Sequence, residues 1–233
     1  MPTIPSHEDG VALLTTVAVL LVVSAVSAAL LLSSSTDARI ASAFQAGLEG
    51  RHAADAAAER ALLDLAGTPD WSAALDGSVR SPFVDGPPSG ARSLGQGTRV
   101  DLDQIRNLNN CGQAGACTDA ELNAVTAERP WGSNNPRWQL FAYGQLAQMS
   151  TLSRTRDGFY VVVLVADDAG ETDGQPAQDA ASAADPGHGI IVLRAEAFGP
   201  TGARHAVELT VERTVLGSPG TGTVRVLAWK RVD

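Results

Sequence analysis

Two cysteines, four histidines and a run of acids are the residues with chemistry to offer in this 233-residue chain. Cys111 and Cys117 enclose Gly-Gln-Ala-Gly-Ala. That spacing is too wide for a CxxC redox pair, and there is no second pair to complete a zinc site. Outside the cytoplasm a disulfide is the simplest account, and closing so short a loop contributes about 2 kcal/mol. Two free buried thiols are the alternative. Between residues 167 and 185 lie Asp167, Asp168, Glu171, Asp173, Asp179 and Asp185, with no basic residue. Such a loop can gather calcium, which takes about six to eight oxygens. Asp167, Asp168 and Asp173 are the candidates. The spacing is not that of an EF-hand, and a solvated loop explains the composition equally well.

Nothing else assembles into a catalytic constellation. No G-x-x-x-x-G-K-[ST], G-x-S-x-G or H-E-x-x-H motif occurs. His7, His52, His188 and His205 are scattered. The expectation is a chain that is not an enzyme and carries no cofactor, calcium aside. Formal charge is −9, from 17 basic and 26 acidic residues. That balance speaks against nucleic-acid binding, which needs a basic face to displace counterions.

The elements that must carry these residues begin with an uncharged run. Residues 11–32, VALLTTVAVLLVVSAVSAALLL, have only Thr15, Thr16, Ser24 and Ser27 as polar side chains. As a helix this run spans roughly 33 Å, enough to cross a bilayer. Its hydroxyls can bond back to the helix's own carbonyls, so they cost little in lipid. A core helix of a soluble domain is the competing reading, but few such helices are apolar on every face. The preceding MPTIPSHEDG has no basic residue, unlike a secretory signal. A Sec-type cut at Val26-Ser27-Ala28 would nevertheless discard the anchor.

The helical pattern continues beyond the run. Ile40, Phe44 and Leu48 are followed by Ala54, Ala58, Leu62 and Leu65, an apolar stripe ended by Gly67 and Pro69. Gly47, Gly50 and the serine run 33–35 are points where this helix can bend. Residues 67–136 read as turn-rich, with a short strand over 100–105. Thr118, with Glu121 three later, opens a capped helix over 118–127. From residue 137 the pattern is β: runs 138–146, 158–166, 189–198, 203–213 and 223–231. Val207, Leu209 and Val211 alternate with Glu208, Thr210 and Glu212, as in a sheet with one wet face. The fold class expected is α+β, a long N-terminal helix packed through its 40–65 stripe on a C-terminal antiparallel sheet.

A short polar leader ending in Gly10, an immediate apolar helix and an amphipathic continuation resemble type IV pilins and pseudopilins. More narrowly, GVALLTTVAVLLVVSAVSAALL with AFQAGLEGRHAADAAAERALLDL is similar to the N-terminus of PilX-type minor pilins. The likeness is specific over residues 9–66. Cys117-Thr118, Leu122 and the downstream Trp131 are a second, modest match, and an Asp-rich loop late in the chain is common among PilX-like sequences. The resemblance implies that a prepilin peptidase cuts between Gly10 and Val11 and methylates the new amine of Val11. It also implies a pilin-like fold. Major pilins carry Glu at the fifth mature position, where this chain has Thr15. Absence of that acid is tolerated in PilX-type minor pilins and in K-type tip pseudopilins of type II secretion systems.

The expected organisation is a leader at 1–10, a membrane or fibre-core half-helix at 11–36 and an amphipathic half at 37–66. A loop-rich connection with the disulfide follows at 67–136. A β-sheet domain with an acidic loop at 167–188 occupies 137–233. The implied life is single-pass in the inner membrane, then in an extracellular pilus or periplasmic pseudopilus. Implied partners are major and minor pilins, the peptidase and a tip adhesin. The other classes are a non-polymerising membrane-anchored binding module and a secreted hydrolase.

Overall fold

The computed structural model describes residues 8–95, 98–127, 129–149, 158–171, 173–179, 187–199, 202–215 and 222–232. Leader residues 1–7 and Asp185 lie outside the described residues. The chain divides into two units, Met1–Ala46 and Gly47–Asp233.

Helix α1 is Glu8–Ala66. In the first unit its side chains from residue 11 on are exposed almost throughout. The segment has no Pro and, between residues 10 and 47, no Gly, so nothing local opposes the helix. The serine run does not interrupt it, because Ser35 and Thr36 donate to the Leu32 carbonyl at 2.8 and 3.0 Å. Ile40 and Phe44, expected to bury against a sheet, are instead 62% and 68% exposed. Periodicity alone marked them as a stripe.

In the second unit the buried stripe of α1 starts at Gly50 and runs through Ala53, Ala54, Ala57, Ala58, Ala61 and Leu65. These residues are small for a reason. A Cβ added at Gly50 would stand 2.2 Å from His205 Cδ2 and 3.2 Å from Phe159 Cε1. Gly50 is therefore a point of close approach and not the bend its type suggested. The helix ends at Gly67. Thr68 Oγ1 donates to the Asp64 carbonyl at 2.9 Å, and the Trp71 indole donates to the Leu65 carbonyl at 3.2 Å. Both satisfy carbonyls that a helix end leaves without partners.

The stripe packs on a five-stranded antiparallel sheet in meander order. Its strands are β3 (Gln139–Gln145), β4 (Tyr160–Asp167), β5 (Ile190–Phe198), β6 (Arg204–Val215) and β7 (Gly222–Val232). All five match the β runs read from sequence. The chain is thus α+β, a long N-terminal helix packed on a C-terminal antiparallel sheet.

The connection 67–136 is more than loop. It holds α2 (Ser72–Leu75), the hairpin β1 (Ala91–Gly95) and β2 (Thr98–Asp101), α3 (Leu102–Cys111) and α4 (Asp119–Leu122). The strand expected over 100–105 turns into helix after Asp101, whose carboxylate caps α3 by accepting from the Gln104 amide at 3.0 Å. The helix expected over 118–127 is a single turn. Its capping box of Thr118 and Glu121 is formed as read.

The second layer explains why every residue of β4 is buried. Val161, Val163 and Val165 face the α1 side, while Tyr160, Val162 and Leu164 pack with Val100, Leu102 and Ile105. Tyr160 donates to Asp85 at 2.8 Å, and Arg92 pairs with the same oxygen at 3.0 Å. Burial, helped by Asp85, raises the Tyr160 pKa, so this hydroxyl stays a donor. Residues 81–85 also run along the outer side of β3. Ser81 N donates to Phe141 O at 2.9 Å, Tyr143 N to Phe83 O at 3.1 Å and Asp85 N to Tyr143 O at 3.2 Å.

Candidate functional site

Three places carry the sequence candidates: the start of α1, the disulfide and the acidic loop. At the start of α1, Gly10 is already helical. Val11 is 61% exposed, and the apolar window beyond it has none of its residues buried. Thr15 Oγ1 lies 3.1 Å from Val11 O and 2.9 Å from Ala12 O, and Thr16 donates to Leu13 O at 2.8 Å. Ser24 and Ser27 donate to Leu20 O and Val23 O at 2.7 and 2.8 Å. Each hydroxyl proton is thus spent on the helix itself, and the outer surface is hydrocarbon. A helix this apolar is compatible with lipid or with packing among other helices. The described residues contain one helix long and apolar enough to cross a membrane.

Cys111 and Cys117 form the disulfide, with their Cα atoms 6.0 Å apart. Cys111 ends α3, and Gly112 follows in the left-handed conformation at φ 73°, donating to Leu108 O at 3.0 Å. That turn reverses the chain so that the second sulfur can return. Replacing both cysteines by serine is expected to lower stability by about 2 kcal/mol. A chemical-denaturation curve of the full chain in detergent measures it.

The acidic loop does not gather the three aspartates read as candidates. Asp173 accepts from the Gln175 amide at 2.7 Å, within its own turn. Asp179 accepts from Gly189 N at 2.7 Å. Among the described residues no three Asp, Glu, His or Cys side chains could hold a metal ion by themselves. Asp167 is instead brought against Glu171, at 3% and 2% exposure. Burial pushes the Asp167 carboxyl up to about 9, with the Glu171 charge adding to the rise. Glu171 is raised too, mainly by burial. Burial likewise raises Asp179 against the lowering pull of Gly189 N, His188 and Arg213.

Glu171 and its neighbour Asn134 were not singled out in the sequence. Glu171 looks like every other acid of the loop, and the Ser-Asn-Asn-Pro stretch looks like any turn. Of the histidines, His52 and His188 are exposed and His205 is half-buried. His7 lies outside the described residues. A cleft of ≈ 520 Å³ lies on the sheet, lined by Leu108, Trp138, Val192, Arg194, Glu208 and Lys230 among others. Arg194 and Lys230 both pair with Glu208 there, at 3.4 and 3.9 Å. Arg129, Asn109 and Asp167 line it as well. Comparison with family models, with curated proteins and with solved structures gives no match to this chain.

Proposed function

We propose that the chain is a minor pilin of PilX type. It is held in the inner membrane by residues 11–32, cut after Gly10, and then built into a type IV pilus through the same helix. The observation that carries this reading is the continuity of α1. A lipid-compatible surface and an alanine stripe that packs on a sheet share one helix, Val11–Ala66. Such an element can be stored in a bilayer and later surrounded by like helices without refolding the β unit.

Thr15 gives the reading its detail. Its hydroxyl is bonded to its own backbone and cannot neutralise a neighbour's amine. That favours a subunit used in initiation or tip capping over one repeated along the shaft. A K-type tip pseudopilin of a type II secretion system shares the feature and is the second reading. Partners on either reading are other pilins, the prepilin peptidase and, at a pilus tip, an adhesin. The chemistry on this chain is its own processing and not turnover of a substrate.

Mass spectrometry of the N-terminal peptide from native material tests the proposal. The expected result is a start at Val11 with one added methyl group. A start at Met1 would mean a static anchored module, and a start near Ala29 a secreted protein without its helix. Either ends the fibre reading.

A further inference from the structure

The sheet ends differently at its two edges. Along β3 the chain's own residues 81–85 lie alongside, with Val84 bridged in parallel to Tyr143. At the other end no strand pairs with the outer side of β7 among the described residues. β7 is 11 residues long and is exposed from Thr223 on, except at the half-buried Val224 and Val232. Alternate residues of an antiparallel strand turn both main-chain groups to the same side, so about half of its amides and carbonyls face outward. In a chain of net charge −9 this strand holds Arg225, Lys230 and Arg231 and no acid.

Register with β6 assigns these side chains to faces, because directly opposed residues share one. Val226, Trp229 and Arg231 stand opposite Val211, Leu209 and Val207, on the α1 side. The helix does not cover them: Val226 is 39% and Trp229 43% exposed. Arg225 and Lys230 stand opposite Glu212 and Glu208, on the other face. Both are largely exposed, and Lys230 is as far as 3.9 Å from its glutamate. Among the described residues no acid pairs with Arg231. Exposed Leu227 is the extra residue of a bulge between the pairs Val211–Val226 and Thr210–Ala228.

These features select what the edge takes. A second copy would set base against base, and bulges and edge lysines are devices that keep identical edges apart. A flat lipid surface meets one face of a sheet, whereas the bases of β7 are divided between two. An added strand reaches both faces and the outward main-chain groups together. We propose that β7 accepts a strand from a partner protein, an extended segment whose side chains alternate between acidic and apolar. Its apolar residues lie on the α1 side against Val226 and Trp229, with an acid beside Arg231. Its other acids meet Arg225 and Lys230 on the opposite face. The edge belongs to the 47–233 unit, so the proposal does not depend on whether the chain is cut at Gly10.

The test uses the full chain in neutral detergent and a fluorescein-labelled synthetic peptide, EVEVEVEVE. KVKVKVKVK reverses its charge, and EVEPEPEVE keeps the acids but lacks amides for a ladder. The expected result is saturable anisotropy with the acidic peptide and slowed hydrogen exchange of the amides in 223–232. Lys230→Glu with Arg231→Glu is expected to weaken that binding about tenfold, since two attractive surface pairs become repulsive. Arg39→Glu with Arg51→Glu makes the same change of charge at exposed α1 positions and should bind like the parent. If the 230/231 variant does not fold, Arg231→Gln carries the same test with a loss of about threefold. No binding by the parent, equal binding of the lysine or proline peptide, or undiminished affinity in the 230/231 variant each overturns the proposal. So does protection of β7 that appears on concentrating the protein alone, which assigns the edge to a second copy, or on adding phosphatidylglycerol, which assigns it to lipid.

Discussion

Trp71→Ala is expected to destabilise the 47–233 unit by about 3–5 kcal/mol, the range for deleting a buried aromatic side chain. Trp71 is fully buried in the core shared by α1 and the sheet. It also ties down the end of the long helix. The indole N–H donates to Leu65 O at 3.2 Å. Arg213 lies over the ring, 5.8 Å from its centroid, and donates to the Pro69 carbonyl. Alanine would leave a cavity and free the helix terminus together. Trp71→Phe should lose far less, about 1 kcal/mol for the single hydrogen bond. Near-UV circular dichroism during denaturation is the suitable readout, because a micelle-held helix keeps its far-UV signal after the β unit has unfolded. Equal loss in both variants would mean that the ring's volume contributes nothing, contrary to the packing seen.

Glu196→Ala is expected to cost about 3 kcal/mol, the lower end for breaking a buried ion pair by removing one partner. Glu196 has 0% exposure and sits in β5 on the face away from α1. Its carboxylate accepts from Arg194 Nε at 2.8 Å, Arg204 Nε at 3.0 Å and Asn109 Nδ2 at 3.2 Å. The asparagine link joins α3 to the sheet. Arg204, 45% exposed, can rehydrate once its partner is gone, which sets the cost at the low end. Arg194, at 18% exposure, has Glu208 as its remaining partner at 3.4 Å. Glu196→Gln keeps the acceptor for Asn109 and should fall between parent and alanine. Thermal melts of the three chains check the order.

The strands were legible because Val-rich runs bounded by Gly and Pro leave few alternatives. Their surroundings were less so. The alternation in 207–212 correctly gave one wet face for β6. For β4 the near-continuous apolar run already carried the sign of two covered faces. The cover itself was missed because Val100 and Ile105 look like one strand. A readable signal was there: Asp101 followed three later by Gln104 marks a helix start. Ile40 and Phe44 show the opposite limit, since a helical period identifies a stripe but not what lies against it.

Of the candidate sites, the disulfide was legible once spacing had excluded a redox pair and a zinc site and the domain was placed outside the cytoplasm. Gly10, Val11 and Thr15 rest on resemblance, and the helix around them shows only that the segment is helical and hydrocarbon-faced. Glu171 was not legible, because its burial comes from distant chain: Asn134 on one side and Gly187 on the other.

The strap at 81–85 has a consequence for assembly. It occupies Phe141 O and both main-chain groups of Tyr143, and Pro82 gives it one fewer amide to offer outward. The far edge, β7, is exposed along most of its length and carries Arg225, Lys230 and Arg231. The two edges are thus unlike: at its centre β3 spends its outward groups on the chain's own segment, whereas β7 leaves its outer side exposed. Pairing of another strand with this sheet is therefore directed to β7, where it would meet a row of basic side chains.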